Sequence, residues 1–182
     1  TPQEHLDAVS RLLAKQRLVE DLVHRQAGDG ERHGLVESVV HKQNLAELQK
    51  RLDGLHPADV AYVLEGLPLE ERLVVWSLVR SDRDGDILLE VSDAVRDTLL
   101  ADMASAEIVA AAQNLDADEI ADLAPDLPDE VVQDIIEAQD VHERAQLQSA
   151  LSYPEGSVGA LMDFEVVSIR EDVTCEVALR YL

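Results

Sequence analysis

The sequence predicts an all-α fold: a superhelical, solenoid-like stack of short helices, about 12 residues to each helical unit. Three observations carry that prediction. An apolar pattern repeats every 12 residues from His56 to Leu151 without a gap. The apolar content is mostly Ala, Leu and Val, and aromatics are only 3 % of the chain. That mix favours helices, because Ala and Leu lose little side-chain entropy there, whereas strands favour β-branched and aromatic residues. Finally, the units open on helix-starting residues: Pro57, Pro68 and Pro128 suit a first turn, and Ser92, Asp116 and Asp140 suit N-caps.

The eight units read HPADVAYVLEGL, PLEERLVVWSLV, RSDRDGDILLEV, SDAVRDTLLADM, ASAEIVAAAQNL, DADEIADLAPDL, PDEVVQDIIEAQ and DVHERAQLQSAL. Position 8 is always apolar: Val63, Val75, Ile87, Leu99, Ala111, Leu123, Ile135 and Leu147. Position 12 is apolar except at Gln139. Positions 5, 8, 9 and 12 are three or four residues apart, the spacing of one helical face. Each unit is therefore one short helix and a tight connection. A helix that short is marginal alone and has to bury its face on neighbours, which a serial stack allows.

Residues 1–55 precede this array and differ from it. A long amphipathic helix is expected from His5 to Gln26, broken at 27–30 (AGDG), with a second helix from Leu35 to Leu52. Residues 152–182 change again. SYPEGSVGALM reads as a linker, VVSI (166–169) as a short strand, and Thr174 as the N-cap of a helix CEVALRYL. One strand and one helix cannot make a core, so this end is expected to be the start of a truncated second domain. The expected organisation is thus 1–55, 56–151 and 152–182.

Charge narrows the function. There are 38 acidic and 15 basic residues, a net charge of −23. Residues 56–151 hold 23 acids and 5 bases, and between Arg96 and Arg144 lie 14 acids with no Lys or Arg. Nucleic acid and anionic membrane surfaces need the opposite sign. Hard divalent cations suit carboxylate oxygens, and Mg²⁺ needs only one or two of them because it keeps most of its water. Asp86 and Asp122 both occupy position 7 of their units, at the border of the apolar stripe, and Asp118 lies four residues before Asp122 on the same helix face. Like charges so placed repel one another unless a cation or a base is near. The plainer reading is a capping Asp118 and an exposed Asp122 on a solvated acidic face.

Other chemistry finds little support. DRDGD (82–86) resembles half an EF-hand loop, but its glycine falls at loop position 4, where position 6 is required. It reads as a polar turn between helices. The six histidines share no ligand spacing, and the single cysteine, Cys175, has no nearby His to activate it. No nucleophile elbow, phosphate-cradling loop or zinc-protease motif is present, so no enzyme is expected. No apolar run approaches the length of a membrane span, and one cysteine fits a reducing compartment.

LHPADVAYVLEGLPLEERLVVWSLV (55–79) resembles the opening of the amino-terminal domain of MgtE magnesium channels, and YPEGSVGALM (153–162) with the segment after it resembles their junction into a first CBS domain. Val158 and Asp163 depart from that family's usual alanine and threonine. The resemblance implies a cytosolic regulatory module of a homodimeric Mg²⁺ channel at the cytoplasmic side of the inner membrane. Its partners would be the CBS domains of the same polypeptide and the second subunit. Mg²⁺ would bridge acidic faces and close the pore when its concentration is high. The metal ligands it implies are Asp86, Asp118 and Asp122; without the CBS ligands, the chain alone would bind Mg²⁺ weakly or not at all. A second expectation is a protein-interaction scaffold, since similar short helices also occur in flagellar switch proteins of the FliG type.

Overall fold

The position-8 side chains of all eight units are buried, none more than 4 % exposed. In the computed structural model, which describes residues 1–26, 31–154, 157–162 and 174–179, each unit forms one helix. After α1 (Pro2–Gln26) and α2 (Glu31–Asp53) come α3 (Pro57–Gly66), α4 (Leu69–Trp76), α5 (Asp84–Glu90), α6 (Asp93–Leu100), α7 (Ser105–Ala112), α8 (Ala117–Leu123), α9 (Asp129–Ala138) and α10 (Val141–Leu151). A short α11 (Cys175–Ala178) follows. There is no strand among the described residues. The expected strand at 166–169 lies outside them.

The helices begin largely as their residues dictate, with informative exceptions. Pro57 is the first residue of α3, but Pro68 and Pro128 fall one place earlier, at the N-caps of α4 and α9. Their φ of −57° and −60° suits that position equally. Asp140 caps α10 by accepting from the N–H groups of His142 (2.7 Å) and Glu143 (2.8 Å). A glutamate at position 4 reaches back to the N–H of position 1 in three units: Glu107 to Ala104, Glu119 to Asp116 and Glu143 to Asp140. Ser92 accepts no cap bond. Its own N–H instead donates to Glu65 of an earlier helix. Residues 82–86 are helical, not a turn: a 3₁₀ helix, Ser81–Arg83, runs straight into α5.

Consecutive helices are not the main neighbours in the stack. α3 packs on α5, α5 on α7 and α7 on α9, while α4 packs on α6 and α8 on α10. The structural repeat is therefore a helix pair, 24 residues, and one continuous core runs between the two rows. Gly85 permits a close approach between backbones. A Cβ there would lie 2.7 Å from the Ala111 carbonyl oxygen and 3.0 Å from the Leu115 side chain, so only glycine lets α5 lie this near α7. At the start of the stack α1 lies on α3 and α2 lies on α1. Val9 and Leu13 of α1 are buried with Val60, Val63 and Leu64. The amino-terminal helices thus cap the apolar end that the first unit would otherwise present to water.

Candidate functional site

A repeat that the apolar pattern does not reveal organises the charge. Arg72, Arg96 and Arg144 occupy position 5 of units two, four and eight. Each folds back onto the carboxyl end of the preceding helix. Nε of Arg72 donates to the Leu64 carbonyl (2.9 Å) and Nη2 to that of Leu67 (3.1 Å). Arg96 does the same to Leu88 (2.7 Å) and Val91 (3.3 Å), and Arg144 to Ile136 (3.0 Å) and Gln139 (3.1 Å). The last carbonyls of a helix lack partners within it and form the negative end of its dipole, so a guanidinium satisfies both needs. Arg83 caps α2 likewise, donating to the carbonyls of Leu52 and Leu55. The fifth cation of 56–151, Arg80, pairs with Asp82 at 2.6 Å.

The basic side chains of the stack are thus engaged by backbone or by an adjacent acid, and the acidic face keeps its charge. Asp86, Asp118 and Asp122 have no ion pair among the described residues. Asp86 stands exposed on α5, Asp118 is half-buried in the first turn of α8, and Asp122 is exposed one turn further along α8. α5 packs against α8, and this brings Asp86 and Asp118 into the surroundings of Glu119. The Glu119 carboxyl is held above its usual range, chiefly by burial. The Asp116 N–H opposes this, while the negative charges of Asp116, Asp118 and Asp86 add to it. Two of the three expected ligands are therefore electrostatically joined across a helix interface, and Glu119 is the member that the 12-residue register did not single out. Its signal was present as the capping glutamate of DADE, but capping alone does not announce a shared acidic surface.

A second acidic place was not anticipated. Asp84 opens α5 and is half-buried, and burial, then Glu107, then Asp82 push its pKa up to about 6. Asp84, Asp102 and Glu107 line an open groove of about 580 Å³ whose apolar wall includes Trp76, Val79 and Met103. The sequence reading placed this aspartate in a polar turn between helices, whereas it opens α5. Its surroundings come from α7, some twenty residues away in sequence, which no local motif can show.

Donors of this kind fit hard cations, being carboxylate oxygens without thiolate or imidazole. Among the described residues, however, no group of three or more His, Cys, Asp or Glu side chains is placed to hold a metal ion together.

The profile of the MgtE intracellular N domain matches residues 55–156. The chain belongs to that family. The match takes in all eight helical units and with them the arginine-capped stack and its acidic face. Among solved structures, the soluble part of a magnesium transporter superposes with a TM-score of 0.60 at 18 % identity, covering 81 % of this chain and 58 % of that one. At that identity the likeness establishes the fold, and the chain spans somewhat over half of the solved protein. Comparison with curated protein sequences gives no match. Membership of the MgtE N domain family points to a transport-related domain. No helix among the described residues is long and apolar enough to cross a membrane.

Proposed function

We propose that this MgtE N domain is a cytosolic Mg²⁺-responsive module that helps to close a magnesium channel when Mg²⁺ is high. The observation that carries the reading is the disposition of charge. Four of the five arginines of the superhelix cap helix ends and the fifth pairs with Asp82, and Asp86, Asp118, Glu119 and Asp122 crowd negative charge on α5 and α8 with no ion pair among the described residues. A surface built this way opposes compaction against another acidic surface until a divalent cation intervenes. Mg²⁺ can bridge with one or two carboxylates from each side, so an incomplete ligand set on one partner suffices. The cation then shifts a two-state equilibrium toward the compact arrangement because it binds that state better. The remaining ligands come from CBS domains carried on the same polypeptide and from a second subunit of a homodimer. Alone, the chain binds Mg²⁺ weakly or not at all.

The test is a Mg²⁺ titration of the polypeptide extended through its CBS domains, followed by thermal stability, with Ca²⁺ and NaCl alongside. The same titration is run on Asp118→Asn with Asp122→Asn. Stabilisation at millimolar Mg²⁺ that NaCl does not reproduce, and that the substitutions reduce, is the expected result. Equal stabilisation by every salt, unchanged by the substitutions, would reduce the effect to charge screening and favour an interaction scaffold instead.

A further inference from the structure

The arginine ladder skips one rung. Position 5 of unit six is Ile120, which is 2 % exposed. Beside it lies a small cavity of about 50 Å³, lined by Gln113, Leu115, Asp116, Ile120, Glu143 and Gln146 with three further residues. The register of the repeat says what this space corresponds to. Leu115 holds the place of Leu67 and Val91, whose carbonyls accept from Arg72 and Arg96. Gln146 holds position 7 of unit eight, the place that Thr98 holds in unit four, where its Oγ1 accepts from Nη1 of Arg72 at 3.3 Å. The cavity therefore has on its walls the counterparts of two of the residues that meet the Arg72 guanidinium, Leu115 for Leu67 and Gln146 for Thr98, while Ile120 fills the place of the arginine stem.

We propose that this cavity binds a guanidinium group supplied from outside the chain. Its walls carry the acceptors such a group needs: the carboxyl end of α7 with the negative pole of its dipole, the Gln146 side chain, and the carboxylates of Asp116 and Glu143 at the rim. A guanidinium offers five N–H donors in one plane and sheds water more readily than an ammonium, which suits a narrow and partly apolar pocket floored by Ile120 and Leu147. The three filled rungs show that this fold seats the group at such a corner with at least two carbonyl bonds each time. The source is either a free guanidino compound or an arginine side chain of a protein that docks on this corner. The cavity shares α8 and its capping Asp116 with the acidic surface described above, but the inference does not rest on the metal response, since it concerns an organic cation and not a metal ion.

The test titrates the chain with methylguanidinium chloride at millimolar concentration, against methylammonium chloride and NaCl at equal ionic strength. The readouts are thermal stability and the side-chain amide NMR signals of Gln113 and Gln146. Saturable shifts of both signals and a rise in Tm with methylguanidinium alone are expected. Ile120→Arg is expected to fill the rung from within, raise Tm by about 2–4 °C and abolish the response. Should that variant fail to fold, Gln146→Leu serves, and is expected to weaken methylguanidinium binding several-fold. Equal responses to methylammonium, or amide signals that do not move, would overturn the proposal. A final arm compares free L-arginine with a blocked Gly-Arg-Gly peptide: tighter binding of the peptide assigns a partner's side chain, and tighter binding of arginine assigns a free ligand.

Discussion

Nη1 of Arg96 donates to Oδ2 of Asp126 at 2.8 Å, and the two side chains are only 12 % and 25 % exposed. The same guanidinium holds the carbonyls of Leu88 and Val91. One side chain thus fastens the end of α5, the start of α6 and the 3₁₀ turn after α8. An ion pair in such a place is costly to break from one side, because the partner is left charged and desolvated.

Replacing Arg96 by Leu is expected to cost about 2–4 kcal/mol, since it strands Asp126 and uncaps two carbonyls together. Chemical denaturation measures it. Arg80→Leu is the control: its pair with Asp82 is half exposed on both sides, and its loss is expected to cost less than about 1 kcal/mol. Equal losses for the two would mean that the ladder contributes nothing beyond a surface pair.

Gly85→Ala is expected to destabilise by about 1–3 kcal/mol, because the added methyl meets the Ala111 carbonyl oxygen at 2.7 Å and the backbone of α7 has to give. Gly54→Ala has only ordinary contacts, the nearest at 3.6 Å, and is expected to be near neutral. Denaturant midpoints of the pair separate close helix packing from a general effect of losing a glycine.

Asp84 makes stability depend on pH in a defined direction. Its folded pKa of about 6 lies above the unfolded value of about 4. Between those values the folded state binds more protons, so this group's contribution declines as pH rises from about 4 to about 6 and is level above. Asp84→Asn is expected to flatten that part of the profile and to stabilise the chain at pH 7. Allowing for its partial exposure, the gain is about 1–2 kcal/mol. A steeper profile in the variant would show that the buried carboxyl is not the source.

Asp140→Ala removes a cap that accepts two N–H bonds and is expected to loosen the start of α10, read as faster amide exchange in its first turn. Asp140 is also held below the ordinary carboxylate range, chiefly by the Glu143 N–H. The cap is therefore present at neutral pH and is lost as pH falls through its folded value, so wild type and variant converge in acid.

Much of this molecule was legible in order along the chain. The 12-residue pattern located eight helices, and position 8 named a core residue in each, because an apolar face has to be buried wherever the helix goes. The expected start of α1 at His5 and of α2 at Leu35 fell three and four residues late against Pro2 and Glu31, since polar first turns carry no apolar signal. The acidic face was legible as composition, and Asp118 with Asp122 as a pair on one helix. Position 5 was misjudged. It was read as part of the apolar stripe, yet in four of eight units it is Arg72, Asp84, Arg96 or Arg144.

By itself, then, the sequence determined the helical units, their buried faces and the sign of the surface charge, because these follow from local periodicity and from counting. Only the tertiary structure decided that helices pair by alternate units, that the arginines turn inward to cap carbonyls, and that the charges of Asp86 and Asp118 both act on Glu119. Those outcomes depend on distances between residues far apart in the chain. They are set by how the apolar faces pack, and a side chain's partner is chosen only once that packing has brought the backbone carbonyls and carboxylates within reach.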